Sequence, residues 1–219
     1  MRKKKENPQD SLYWLFRPLN DEKRDWADKT DNWVNDYWDS KGHPHRKLIA
    51  EAFALTVANG AETLLELGCN CGPNIAIIRE RVNMRDDRLF GVDINPDAIR
   101  KAAEMLPAVN WTQGDLINIP ANDQSVDVLL TDAVLMYVPD TDIEHVMDEI
   151  ARVAKKAVIL LEWGGETTKG KVEDYHWCRN YAKLLTERGF TVDARKLTKE
   201  EWDTKTWLKH GMLYIARRA

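Results

Sequence analysis

The stretch ELGCNCGPN at 66–74 decides how the chain is read, because it joins a short apolar run to a helix-forming one through a tight loop. Upstream, 63–67 (TLLEL) is too short for a helix and reads as a buried strand. Downstream, Pro73 stands in the first turn of a predicted helix over 73–82, where its missing N–H leaves no bond unmade. Between the two, Gly68 and Gly72 remove side chains, so a ligand can approach the backbone. Asn70 takes the middle position, and asparagine is among the non-glycine residues that best tolerate positive φ.

Outward from this loop, strands and helices alternate. Strands are expected at 89–93, 109–112, 126–131 and 157–161. Helices are expected at 96–106, with Ile99, Ala102, Ala103 and Leu106 on one face, and where Ile143, Val146, Met147, Ile150 and Val153 recur. Trp177, Cys178, Tyr181, Leu184 and Leu185 place a further helix over 174–188, stopped by Gly189. Strands at 190–197 and 212–216 follow, and with the short 198–203 segment read as their link no parallel crossover is expected. The fold class is therefore α/β: a doubly wound, seven-stranded, mostly parallel sheet with an antiparallel last strand. Before residue 60 the chain is rich in aromatics and holds no strand. Leu48, Ile49, Ala52, Phe53 and Leu55 mark a helix over 44–58 that Pro44 opens. The expected organisation is a disordered 1–10, a helical cap over 11–60 and the sheet domain over 61–219.

Composition narrows the class. The 219 residues are 43% hydrophobic and 31% charged, values of a soluble globular protein. A net charge of −4 gives no general electrostatic reason to bind nucleic acid. Three cysteines make no disulfide framework, which suits a reducing compartment such as the cytoplasm. The basic run Arg2–Lys5 precedes an apolar stretch shorter than a signal peptide needs, and no window spans a membrane. No metal set is expected. His43 and His45 flank a proline without a carboxylate at suitable spacing.

A glycine-bearing loop by itself fits nicotinamide nucleotides too. Three carboxylates sharpen it. Glu66 ends the first strand, where an anion is unwelcome beside a pyrophosphate but suits a cationic ammonium. Asp93 ends the second strand in GVDIN, placed to accept from both ribose hydroxyls. Asp115 follows the third strand in GDL and offers an acceptor to an adenine amino group. The ligand so described has amine and hydroxyl groups and no phosphates.

The series ELGCNCGPN, GVDINPDAI, QGDLINIP and SVDVLLTDAVLMYV resembles the motif order of class I S-adenosylmethionine (SAM)-dependent methyltransferases over roughly residues 60–165. The resemblance implies that Glu66, Gly68, Cys69, Asn70 and Gly72 surround the methionine part of S-adenosyl-L-methionine. Asp93 and Ile94 would hold the ribose and flank the adenine, Asp115 and Leu116 would meet the adenine edge and face, and Asp132 and Ala133 would approach the methionine amino end. Arg46 would pair with the cofactor's carboxylate.

The expected acceptor is a small molecule, methylated at oxygen, by a monomer or homodimer. TDAVLMY lacks the Asn-Pro-Pro-Tyr pattern of nucleobase and glutamine enzymes. Trp163, Gly164 and Gly165 stand where a magnesium-dependent enzyme would need an Asp-Asn pair. Candidate bases are Glu162 at the fifth strand's end, His176 after it, and His43 and His45 in the cap. RNA or protein methylation, a catalytically inactive SAM-binding partner and a nicotinamide-dependent oxidoreductase are the alternatives. The aromatic cap and the glycine-bearing 164–171 loop are expected to close over the site.

Overall fold

The computed structural model describes residues 11–17, 33–169 and 176–218. Among these, one sheet contains β1 (Leu64–Leu67), β2 (Leu89–Asp93), β3 (Asn110–Gln113), β4 (Val126–Asp132), β5 (Ala154–Trp163), β6 (Phe190–Lys196) and β7 (Gly211–Arg218). Their spatial order is β3-β2-β1-β4-β5-β7-β6. The first five strands pair in parallel, and β7 lies antiparallel between β5 and β6. Strand order reverses between β1 and β4, so the crevice beyond their carboxyl ends is where such a sheet receives a ligand.

The helices are α1 (Ser11–Leu15), α2 (Trp33–Asp39), α3 (Pro44–Val57), α4 (Pro73–Val82), α5 (Pro96–Met105), α6 (Ile143–Val153), α7 (Tyr181–Thr186) and α8 (Lys205–His210). Proline opens α3, α4 and α5, and the Asn95 side chain caps α5 by accepting from Asp97 and Ala98 N–H. None of the described helices is long and apolar enough to cross a membrane. The expected disordered 1–10 lies outside the described residues.

Successive side chains leave a strand on opposite faces, and the core divides accordingly. Leu64, Val128, Leu130, Ile159 and Leu161 pack with Ile49 and Phe53 of α3 and Ile75 and Ile78 of α4. Leu65, Leu67, Leu129, Val158 and Leu160 pack with Val146, Met147 and Ile150 of α6 and Leu184 and Leu185 of α7. The same alternation sorts the polar residues. Glu66 and Asp132 face α3 and α4, while Thr131 and Glu162 face α6 and α7.

Two elements differ from expectation. The helix expected over 174–188 is confined to α7, because 177–179 is drawn out as extended chain. Trp177 N–H donates to Met136 O at 2.8 Å and Arg179 N–H to Trp163 O at 3.2 Å, so these residues bond across to other segments instead of along a helix. Asn180 then caps α7 by accepting from Lys183 N–H. The link between β6 and β7 also holds a helix, α8, which buries Trp207. The remaining strands fall close to their expected places, β5 and β7 being longer at both ends.

Trp111 of β3 is seated against two glycines. A Cβ at Gly72 would meet its ring, and one at Gly91 of β2 would meet the ring and lie 2.9 Å from Cys69 Sγ. The indole Nε1–H donates to Leu106 O at 3.0 Å, which holds the ring in place. Gly91→Ala is expected to cost about 1–3 kcal/mol through overpacking, read as a lower urea midpoint. An unchanged midpoint would mean that Trp111 gives way freely.

Candidate active site

β1 runs into α4 through Gly68, Asn70 and Gly72, whose φ angles are +66°, +51° and +80°. Asparagine at the middle position is therefore a left-handed residue, as its tolerance suggests. At Gly68 the demand is also steric, since a Cβ would collide with Val134 from the loop after β4. Asn70 N–H donates to Asp93 Oδ2 at 2.8 Å, and Asn95 N–H donates to Asp93 Oδ1 at 2.8 Å. Asp93 thus fastens the glycine loop to the end of β2 as well as facing the crevice, and burial pushes its carboxyl up. Cys69 and Cys71 are buried, and burial pushes both thiols up, so neither is a ready nucleophile.

Beneath the loop lies a buried polar junction. The Asn74 side-chain amide donates to Glu66 Oε1 at 2.7 Å and to Asp132 Oδ2 at 2.9 Å. Its carbonyl oxygen accepts from the Arg46 guanidinium at 2.8 Å. Asp132 Oδ2 also meets Arg46 at 3.4 Å and His45 Nε2 at 3.1 Å. Burial works to raise the Asp132 carboxyl, but His45, Arg46 and Asn74 outweigh it and hold it at about 2. Asp132 is an anion, so His45 Nε2–H donates to it. Glu66 has only Asn74 as donor, and burial pushes it up to about 8. One oxygen of each carboxylate, Glu66 Oε2 and Asp132 Oδ1, has no hydrogen-bond partner.

The loop after β4 is clamped from the sheet's other face. It begins with Ala133 at φ +57°, a strained position for a residue with a Cβ. Glu162, fully buried, accepts from Thr131 Oγ1 at 2.8 Å and from the N–H groups of Val134, Leu135 and Met136 at 3.0, 3.1 and 3.3 Å. Arg179, also fully buried, donates to Leu135 O at 3.1 Å, Val138 O at 2.7 Å and Asp140 Oδ1 at 2.9 Å. Burial pushes the Glu162 carboxyl up to about 7, and the backbone donors oppose the rise.

These pieces enclose a cavity of about 190 Å³. Gly68, Asn70, Asp93, Ile94, Asp115, Leu116, Asp132 and Ala133 all line it. Trp14 of α1 and Trp33 and Tyr37 of α2 also line it. Asn95 Nδ2 ties α1 down by donating to Trp14 O at 2.8 Å, and the Arg17 guanidinium lies 3.8 Å over the Trp33 ring. Tyr137 and Asp142 complete the wall after β4.

The other expected site residues stand behind this lining. Glu66, Cys69 and Gly72 support the loop without lining the cavity. Arg46 was expected at the cofactor's carboxylate; its guanidinium is committed to Asp132, Asn74 and Ser40 instead. Glu162, expected as a base, has both oxygens occupied by loop donors on the far face of β5. His176, the other expected base, packs between Tyr137 and Trp163, with ring centroids 4.9 and 4.8 Å away. Asn74 and Arg179 were missed. Asn74 carries a readable signal, since it lies on the first turn of α4 directly after the glycine loop.

Residues 64–157 match the family model described as a methyltransferase domain. Over this stretch the chain is similar to class I SAM-dependent methyltransferase domains. Trans-aconitate 2-methyltransferase from Azoarcus sp. is 36% identical over 80 residues, 36% of this chain and 30% of that protein. The enzyme of the same name from Agrobacterium fabrum is 31% identical over 115 residues, 51% of this chain and 42% of its own length. The chain thus spans well under half the length of these curated relatives. Among solved structures, an O-methyltransferase family protein from Burkholderia thailandensis superposes with a TM-score of 0.63 at 16% identity, covering 85% of this chain and 59% of that one. Magnesium protoporphyrin IX methyltransferase from Synechocystis with bound SAM gives 0.61 at 16% identity, covering 96% and 90%. These structural likenesses show the fold, a scaffold that hosts more than one chemistry.

Two expectations test the buried carboxylates. The unfolded chain releases the Glu66 proton near 4.5 and the folded protein only near 8. Stability therefore falls as pH rises through that window, and Glu66→Gln should flatten the fall in melting temperature between about pH 5 and about pH 8. Parallel curves for the two proteins would refute this. Glu162→Gln presents an amide donor to loop N–H groups and should cost about 1–3 kcal/mol, lowering the melting temperature by several degrees. A variant of unchanged stability but no turnover would restore Glu162 as a base.

Proposed function

We propose that this protein methylates an oxygen of a small-molecule acceptor with S-adenosyl-L-methionine as donor. The observation that carries the reading is the charge pattern of the cavity. Its described lining holds carboxylates at Asp93, Asp115, Asp132 and Asp142 and no lysine, arginine or histidine. Such a lining suits hydroxyls, an amine and an ammonium, and offers a pyrophosphate nothing.

The residues present fit the cofactor. In this reading Asp93 would accept from the ribose hydroxyls, Ile94 and Leu116 would flank the adenine, and Asp115 would accept from its amino group, all four lining the cavity. Asp132, its Oδ1 without a hydrogen-bond partner, is placed to receive the methionine ammonium together with Ala133. Gly68 and Asn70 present bare backbone to the amino-acid part, while Glu66, Cys69 and Gly72 hold that backbone from behind. When bound, S-adenosyl-L-methionine supplies a methyl group on a sulfonium, already activated for in-line displacement. The chain's own contribution is alignment of donor and acceptor, worth up to about 7–11 kcal/mol in favourable cases. Trp14, Trp33 and Tyr37 line the same cavity and would limit the water that reaches it.

A small acceptor is supported by this roofed cavity and by the trans-aconitate enzymes among the relatives. Methylation at oxygen is supported by the sequence TDAVLMY after β4, which lacks an amino-group motif.

Isothermal titration tests the reading. S-adenosylhomocysteine is expected to bind and NAD not to bind. Asp93→Ala should weaken S-adenosylhomocysteine at least about tenfold, because a charged acceptor and the loop it fastens are lost together. Binding of NAD without S-adenosylhomocysteine would overturn the proposal.

A further inference from the structure

The part of the cavity lined by Ile94, Asp115 and Leu116 is built from two loops with different support. The loop after β2 is short, and Ile94 O accepts from the Gln113 side chain at 3.1 Å while Asp93 O accepts from Gly114 N–H at 2.9 Å. The start of the second loop is thus tied to the first. Residues 114–125, all of them described, then run from β3 to β4 without a helix. The run folds back on itself at once. Ile117 N–H donates to Asp115 Oδ1 at 3.1 Å, and a Cβ at Gly114 would meet the Pro120 ring. Asp115, Leu116 and Ile117 line the cavity.

A loop that has no helix of its own must find backbone partners elsewhere, and this one finds them on α6. His145, Glu149 and Arg152 follow one another at four and three residues, so they share one face of that helix. His145 Nε2–H donates to Ile117 O at 2.8 Å. Glu149 Oε2 accepts from Ile119 N–H at 2.9 Å, and the same carboxylate accepts from Arg152 at 2.6 and 2.8 Å. Arg152 also donates to Ile119 O at 3.1 Å, to Ala121 O at 2.7 Å and to Asp123 Oδ1 at 2.9 Å. The core is filled by other α6 residues, Val146, Met147, Ile150 and Val153. As a partly exposed ion pair, Glu149–Arg152 contributes little to global stability. What the three side chains fix is the path of the loop backbone from 117 to 123.

We propose that His145, Glu149 and Arg152 are positioning residues for recognition of the cofactor's base. They hold the loop so that Asp115 and Leu116 keep the place from which an adenine amino group is accepted. This rests on the methyl-transfer reading of the cavity and adds a base selectivity to it, controlled by three side chains that do not line the cavity. The chemistry of the selectivity is simple. Adenine offers a carboxylate two N–H donors, whereas hypoxanthine carries a carbonyl oxygen at the same position and would leave the carboxylate facing lone pairs.

Calorimetric titration of the full chain with S-adenosylhomocysteine and S-inosylhomocysteine tests this, because the two compounds differ only in the base. The unaltered chain is expected to prefer the adenosyl compound by at least about tenfold. Glu149→Ala removes the acceptor for Ile119 N–H and the partner of Arg152, and should shrink that ratio at least about threefold. Glu149→Gln keeps an acceptor for Ile119 N–H and should restore most of the ratio. His145→Ala, on the exposed face of α6, should shrink it about twofold, and serves as the test if Glu149→Ala does not fold. A merely structural role would weaken both compounds alike, and an unmoved ratio in the folded variants overturns the proposal. Equal binding of both compounds by the unaltered chain overturns it too, while leaving the methyl-transfer reading intact. Failure of S-adenosylhomocysteine to bind overturns that reading, and this inference with it.

Discussion

The junction on which the site depends is the Asn74 amide, which bridges two buried carboxylates. Glu66 comes from β1 and Asp132 from β4, the two strands between which the sheet reverses direction. Two buried carboxylates this close would repel, and burial leaves that repulsion poorly screened. Asn74 donates to both and accepts from Arg46, so one side chain from α4 joins two strands to α3. The arrangement leaves the pair unequal. Asp132 has the cation and the imidazole and stays ionised, while Glu66 has a single donor and is pushed towards its neutral form. Partial neutralisation is the ordinary way a buried polar cluster limits its desolvation cost.

The opposite face of the sheet solves a different problem. The loop after β4 must expose Ala133 and Val134 at the cavity, and it does so in a strained conformation. Glu162 takes up its N–H groups and Arg179 its carbonyls. Between them these two side chains supply partners for N–H and carbonyl groups around the single 3-10 turn at Leu135–Tyr137. Strand alternation makes this division possible, since residues 131 and 132, and 161 and 162, point to opposite layers. The cofactor side and the supporting side are thus one residue apart in sequence.

That spacing explains what could be read from sequence and what could not. The strand-loop-helix at 64–82 and the proline helix starts follow from local chemistry, and the structure places them there; the last strand is antiparallel as expected, though its link, with α8 inside it, is longer than the 198–203 segment from which that was argued. Asp93 and Asp115 were legible because each follows a strand at the carboxyl edge. Glu162 has the same local signature, yet its neighbours lie on the far face, so position at a strand end did not reveal its role. Arg46 failed for a similar reason: a buried arginine is claimed by whichever anion the fold brings closest, and Asp132 is 86 residues away. The helix expected from 174 overlooked Trp177 and Arg179, whose backbone bonds are made to Met136 and Trp163. Long-range partners decided each of these cases, and no window of sequence contains them.

The position of β7 has a consequence for assembly. β6 touches no strand of the sheet except β7, and β7 reaches the rest only through β5. The edge therefore cannot be attached in chain order. β6 gains its place in the sheet only through the segment that follows it, β7, which pairs with β5. The β5–β7 pairing joins residues as distant as Ala157 and Arg217, a separation close to that of Leu64 and Val128 in the β1–β4 pairing, so both are non-local closures. Trp202 and Trp207, the latter on α8, both lie on the link between β6 and β7, so the segment that completes the sheet edge also positions these two rings.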